Sequence, residues 1–220
     1  MVIPTKLKAM KIEVKQLSVG IDSDKRVLLE SFALDCPPGS ITTLMGPSGC
    51  GKSSLLAAIA GLPILGLQAS IRVELSGKRV DQIPTSQRHI GLLFQDDLLF
   101  AHMSVRENLL FAVPPGPKAE RGRQADAALQ ELGFAEMAER NPLTLSGGQR
   151  ARVSLMRTLL AQPQALLLDE PFSKLDVALR EQFRQFVFAH VQRLHLPTLL
   201  VTHDAADIAD DQRVIDFQSL

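Results

Sequence analysis

The chain has 220 residues, 45% hydrophobic and 22% charged, enough apolar material for one large domain or a core with an inserted subdomain. Lysine plus arginine equals aspartate plus glutamate at 24 each, so the basic excess of a nucleic-acid binder is missing and no nucleic-acid partner is expected. Cys36 and Cys50 form no metal or redox spacing, and the uncharged run from Ser53 to Ile71 is broken by Gly61, Pro63, Gly66 and Gln68, which argues against a membrane span. No secretory signal follows Lys6, Lys8 and Lys11, so the expectation is a soluble chain in a reducing compartment, held at a membrane only through a partner.

From Lys11 to Leu17, Ile12, Val14 and Leu17 alternate with Glu13 and Lys15, the period of a strand. Val27 to Leu34 predicts a second strand, closed by the turn Cys36-Pro37-Pro38-Gly39. Ile41 to Met45 is a short apolar strand running straight into Gly46, and Ser54 to Ala60 predicts an uncharged, largely buried helix. Ile71 to Leu75 followed by Ser76-Gly77 predicts a hairpin arm, and Ile90 to Phe94 a strand ending at Gln95. Val113 to Pro117 is proline-rich; Lys118 to Leu132 is helical in pattern and stops at Gly133. Gln149 to Ala161 is again helical. Leu166 to Leu168 and Leu199 to Thr202 suit strands buried on both faces, the second ending at His203. Strands alternating with helices predict a mostly parallel α/β sheet, with the helical stretch from about Ser104 to Leu160 inserted between its two halves.

Gly46-Pro47-Ser48-Gly49-Cys50-Gly51-Lys52-Ser53 fits G-x-x-x-x-G-K-[ST] and sits between a predicted strand and a predicted helix. Glycines let backbone N–H groups turn inward around phosphate oxygens at the positive end of a helix. Lys52 is then placed for the β- and γ-phosphates and the Ser53 hydroxyl for Mg²⁺. Cys50 needs only to be small. Asp169 and Glu170 follow a buried strand, and ligands of open parallel sheets collect at the carboxyl ends of strands, so the pair is expected beside the phosphate loop. Asp169 suits Mg²⁺ and Glu170 suits a general base for water attacking the γ-phosphate. Gln95 and His203 also end strands, and His203 is expected to donate to a γ-phosphate oxygen. His89, His102, His190 and His195 lack that context and are read as structural or solvated.

In this order, with Leu145-Ser146-Gly147-Gly148-Gln149 ahead of Leu166-Leu167-Leu168-Asp169-Glu170, the chain resembles the ATP-binding cassette (ABC) ATPases from about Met10 to Phe217. Gly46 to Ser53 resembles the family's Walker A motif, Gln95 its Q-loop, Leu145 to Gln149 its LSGGQ signature, Leu166 to Glu170 its Walker B, Ser173-Lys174-Leu175-Asp176 its D-loop and His203 its switch histidine. Phe94 to Asn108 and Arg140-Asn141-Pro142 are more similar to importers than exporters. Ile83 to Arg88 and Leu159 to Pro163 are similar to the thiamine and polyamine importer ATPases. The resemblance implies a P-loop NTPase, RecA-like core over 10–95 and 161–220 with an antiparallel β subdomain, and a helical subdomain over 96–160. It implies ATP held by Gly46 to Ser53 with Ser54, and by Ser146, Gly147, Gly148, Gln149 and Asp176. Mg²⁺ is implied at Ser53, Gln95 and Asp169, and catalytic roles at Glu170, His203 and Gln95.

The family's mechanism implies two cassettes head to tail, each ATP lying between Walker A of one chain and LSGGQ of the other. The implied partners are a second copy of the chain, membrane permease subunits docked near Asp96 to Met103 and, indirectly, a periplasmic or lipid-anchored solute-binding protein. The implied location is the cytoplasmic face of the inner membrane. Three departures stand out. The chain has no Tyr and no Trp, and the position where relatives stack a ring on adenine falls near Ile21, which implies weak base selectivity. Lys174 stands where many relatives have Ala. The stretch before Met10 extends past the usual start, leaving Met1 or Met10 as the native start. Other readings are an exporter or regulatory cassette, a cassette working without a membrane partner, and a plain nucleotide kinase, which has no use for LSGGQ.

Overall fold

The strands carry two different burial patterns, and these sort them into two sheets. The computed structural model describes residues 8–21 and 24–219; residues 1–7, most of the stretch before Met10, lie outside the described residues. The elements of the first half are β1 (Met10–Val19), β2 (Arg26–Cys36), β3 (Ile41–Met45), α1 (Lys52–Ala60), β4 (Leu67–Leu75), β5 (Lys78–Arg79) and β6 (Ile90–Leu93). Then come α2 (Val105–Ala112), α3 (Lys118–Leu132), α4 (Gly147–Leu160), β7 (Ala165–Asp169), α5 (Val177–Arg193), β8 (Thr198–Thr202) and β9 (Val214–Asp216). The described residues divide into two compact units: residues 8–92 with 164–170 and 188–219, and residues 93–163 with 171–187.

In the first unit β1 buries Met10, Ile12 and Val14 and exposes Lys11, Glu13 and Lys15. Such alternation suits an antiparallel sheet with one wet face, and the order is β2-β1-β4-β5. Ser76 (φ 54°) and Gly77 (φ 79°) form the two-residue turn between β4 and β5, both in the left-handed region that hairpins favour. The second sheet has the order β6-β7-β8-β3-β9. β3, β7, β8 and β9 pair in parallel, and β7 and β8 are buried along almost their whole length, which is why their sequences are unbroken apolar runs. Leu17, Leu44, Leu55, Ile59, Val73, Leu167, Leu199 and Phe217 belong to one core.

The second unit is helical, with a core of Val105, Leu109, Ala125, Leu129, Val153, Met156 and Leu160. Gly133 (φ 71°) ends α3 in the left-handed conformation, returning its N–H to Leu129 and Gln130 carbonyls. The fold is therefore α/β, with a parallel sheet, an antiparallel β layer and a set of helices. Two elements go beyond the sequence-based expectation: α5 and the three-residue β9, which pairs with β3 through Thr43, Leu44 and Met45. No helix among the described residues is long and apolar enough to cross a membrane.

Candidate functional site

Parallel register brings the carboxyl ends of β3, β7 and β8 to one edge. Met45 lies opposite Thr202 and Asp169 opposite Val201, so Gly46, Glu170 and His203 leave the sheet side by side. Two main-chain bonds hold these exits: Gly46 N–H donates to Thr202 O at 3.3 Å and Glu170 N–H to Val201 O at 3.0 Å. After β8, the Thr202 hydroxyl donates to Asp207 Oδ2 at 2.7 Å and accepts from Asp204 N–H at 3.1 Å, which orders the turn that carries His203.

The loop from Gly46 to Gly51 connects β3 to α1, and Pro47, Ser48 and Gly49 face solvent. Gly51 (φ 116°) is the N-cap of α1, and a Cβ there would come within 2.9 Å of Leu28. Glycine is required on both counts. The α1 amides at this end have no side-chain cap, leaving them for an anion. Cys50 lies partly buried within the loop, its Sγ 3.9 Å from Lys52 Nζ, and Ser54 is half-buried in the first turn of α1.

Lys52 is buried, and its ammonium donates to the carbonyls of Gly46 at 2.7 Å and Pro47 at 2.8 Å. It also lies 3.7 Å from Glu170 Oε1, while Glu170 Oε2 lies 3.0 Å from His203 Nδ1. Glu170 is thus bracketed by an ammonium and an imidazole. Its φ of 44° is a left-handed conformation costing a non-glycine residue about 1–3 kcal/mol, strain of the kind that gathers at functional positions. The Ser53 hydroxyl donates to Asp169 Oδ1 at 2.9 Å. Burial raises the Asp169 carboxyl above its ordinary 3.8, with Glu170 adding to the rise and Ser53 and Lys52 opposing it. A hydroxyl and a carboxylate oxygen in contact are hard donors, and they fit Mg²⁺, which takes one or two protein oxygens and fills its shell with water and phosphate.

The remaining predicted residues lie in the helical unit. Ser146 is the N-cap of α4: its hydroxyl accepts from Gln149 N–H at 3.3 Å, and Gln149 Oε1 accepts from Ser146 N–H at 2.9 Å. The pattern S-x-x-Q is a capping box, a sequence signal the motif resemblance alone passes over. The Gln149 side chain therefore rigidifies the turn, and the N–H groups of Gly147 and Gly148 open the helix. A Cβ on Gly148 would come 3.3 Å from Leu179 Cδ2, so the backbone here approaches its neighbour closely. Asp176 caps α5, with Oδ1 accepting from Leu179 N–H at 3.0 Å. Gln95 Nε2 donates to Ser173 Oγ at 3.0 Å, and Lys174 pairs with Asp96.

Ile21 is more than half exposed. Sequence reasoning missed Arg88, Ser154 and Arg157, whose polar atoms bind main-chain carbonyls far away in sequence, and Asn108 and Arg150, which bind nearer ones at Phe100 and Leu145.

Residues 29–173 match the ABC transporter family. The chain is 48% identical over 204 residues to an uncharacterized ABC transporter ATP-binding protein, YnjD of Escherichia coli (strain K12), covering 92% of this chain and 93% of that protein. It is 41% identical over 197 residues to the sulfate/thiosulfate import ATP-binding protein CysA of Mycobacterium tuberculosis (strain ATCC 25618 / H37Rv), covering 86% of this chain and 55% of that one. With CysA of Vibrio vulnificus (strain CMCP6) the identity is 40% over 191 residues, covering 83% and 54%. The chain spans little more than half the length of these CysA proteins and nearly all of YnjD. A phosphate loop, a carboxylate pair and a capped LSGGQ helix in one chain, together with these matches, make it a member of the ABC transporter family, a YnjD-like ATP-binding ATPase subunit.

Proposed function

We propose that this chain is the energy-coupling subunit of a bacterial ABC importer, in which ATP-driven closure of a homodimer moves a membrane permease and hydrolysis reopens it. The observation that carries the hydrolytic part is Glu170, strained at the end of β7 and bracketed by Lys52 and His203. Backbone amides of Gly46 to Gly51 and of α1 through Ser54 hold the phosphates, and Lys52 turns from its own loop carbonyls to the β- and γ-phosphates. Glu170 accepts the proton of the attacking water as its oxygen bonds to the γ-phosphorus and the bond to ADP breaks. His203 donates to a γ-phosphate oxygen. Ser53 and Asp169 would hold Mg²⁺, which would neutralise phosphate charge.

The second half of each site comes from the other chain. Gly147 and Gly148 N–H groups and the Ser146 hydroxyl meet the γ-phosphate at the positive end of α4, with Gln149 bracing the turn and Asp176 nearby in the closed dimer. In functional terms the core is 10–95 and 161–220, and 96–160 is the helical subdomain carrying the signature. Import rather than export is supported by the CysA relatives, named as import ATP-binding proteins. The permease docks near Asp96 to Met103, a solute-binding protein acts through it, and the chain works at the cytoplasmic face of the inner membrane.

Glu170→Gln tests the reading. With the proton acceptor removed, gel filtration in ATP and Mg²⁺ shows a trapped dimer that the unsubstituted chain does not accumulate. A Glu170→Gln chain that elutes only as monomer sinks the role given to Glu170.

A further inference from the structure

One row of polar side chains on α4 grips the segment that follows Gln95. Arg150, Ser154 and Arg157 stand at i, i+4 and i+7, the spacing that keeps side chains on one helix face. Arg150 Nε donates to Asp97 Oδ2 at 3.0 Å, Ser154 Oγ to Asp97 O at 2.7 Å and Arg157 Nη1 to Leu98 O at 2.8 Å. Asn108, fully buried, fastens the next stretch: its Oδ1 accepts from Phe100 N–H at 2.8 Å and its Nδ2 donates to Phe100 O at 3.1 Å. Ahead of this segment, Gln95 and Asp96 are tied to Ser173 and Lys174. These bonds fasten the main chain of the segment and leave the Asp97 carboxylate to Arg150.

Arg150 differs from its two row-mates in what else it reaches. Its Nη1 donates to Leu145 O at 2.7 Å, the carbonyl immediately before the Ser146 cap. One planar guanidinium joins the Asp97 carboxylate to the signature turn. Its donors have fixed relative directions, so a rotation of the Asp97 carboxylate is passed to Leu145 O as a rotation of the same plane. An ammonium at this position lacks that fork and holds one partner at the expense of the other.

We propose that Arg150 is a positioning residue that sets the orientation of the signature turn according to the position of Asp97, and so governs how well the turn meets a second chain's ATP. The inference rests on the proposed function, in which that turn completes the partner's site. Loosening Arg150 leaves the phosphate loop of its own chain intact and weakens closure of the dimer.

The experiment uses the full chain carrying Glu170→Gln, alone and with Arg150→Lys, Asp97→Asn or both. It reads three quantities: the ATP concentration giving half-maximal dimer by sedimentation, the affinity of the monomer for a fluorescent ATP analogue, and Tm. Each added substitution is expected to raise the half-maximal ATP concentration about tenfold, the scale of one charge-assisted hydrogen bond. The pair raises it no further, because both break one link. Monomer affinity stays within about twofold and Tm within roughly 2–4 °C, the shift of a marginal stability change in a chain of this size. Dimerisation unchanged by Arg150→Lys and Asp97→Asn, additive effects, or a parallel fall in monomer affinity or Tm overturns the inference. If Glu170→Gln alone stays monomeric, the proposed function falls and takes this inference with it.

Discussion

Asp169 stands under opposed electrostatic demands. Burial raises its carboxyl and Glu170 raises it further, while the Ser53 hydroxyl and Lys52 favour the charged form; the net direction is upward from 3.8. The folded chain therefore keeps this proton at pH values where the unfolded chain has lost it, and the ionised group destabilises the fold as pH rises past 3.8. Asp169→Asn is expected to raise Tm at pH 7 in the absence of nucleotide, with the gain fading as pH falls toward 3.8. The same variant loses the Tm rise that ATP with Mg²⁺ gives the parent chain. Differential scanning fluorimetry across pH, with and without ATP and Mg²⁺, checks both halves. At this scale the sequence is legible for residues defined by local backbone, such as the Gly51-Lys52-Ser53 run. The resemblance is silent on Asp176 as a helix cap, because a motif names a residue without saying where its side chain points.

At the level of elements, Arg88 holds the end of a helix that carries no charge after Lys52. α1 has no basic residue in its last turn, and its C-terminal carbonyls instead meet a buried guanidinium from outside: Arg88 Nη1 donates to Ile59 O at 2.8 Å and to Ala58 O at 3.4 Å. Nε reaches Ile83 O at 3.1 Å and Nη2 Asp81 O at 2.8 Å, so α1 is pinned to the turn before β6. Arg88→Met takes this donor from the Ile59, Ile83 and Asp81 carbonyls at a cost of about 2–3 kcal/mol, a fall in Tm of roughly 4–12 °C for a chain of this size, readable by thermal melts. The Ile83–Arg88 stretch is visible in sequence as a family likeness, yet its physical job appears only once residues 58 and 88 are neighbours. α5 escapes the sequence pattern because buried Phe183, Val187 and Val191 are interleaved with Phe186 and Phe188, blurring a single apolar stripe. β9 escapes because three residues carry no periodicity.

The whole molecule is read as half of an enzyme. On the proposed function, in which the signature serves another chain's ATP, turnover depends on pairing while nucleotide binding does not. Below the dissociation constant of the dimer, each tenfold dilution is expected to lower the ATPase rate per chain about tenfold, with the fraction of ATP-bound chain unchanged. A rate per chain that holds constant on dilution, down to concentrations where sedimentation shows only monomer, places a complete site within one chain. By itself the sequence determined the phosphate loop, the strand-end carboxylates, the signature helix and the family, because each depends on glycine freedom, helix caps or apolar runs within a few consecutive residues. Only the tertiary structure decided that Ser53 meets Asp169, that Lys52 and His203 bracket Glu170, and that Arg150 joins Asp97 to Leu145. The first two are set by strand register and the last by the packing of α4 against the segment after Gln95, and both join residues that local sequence leaves far apart.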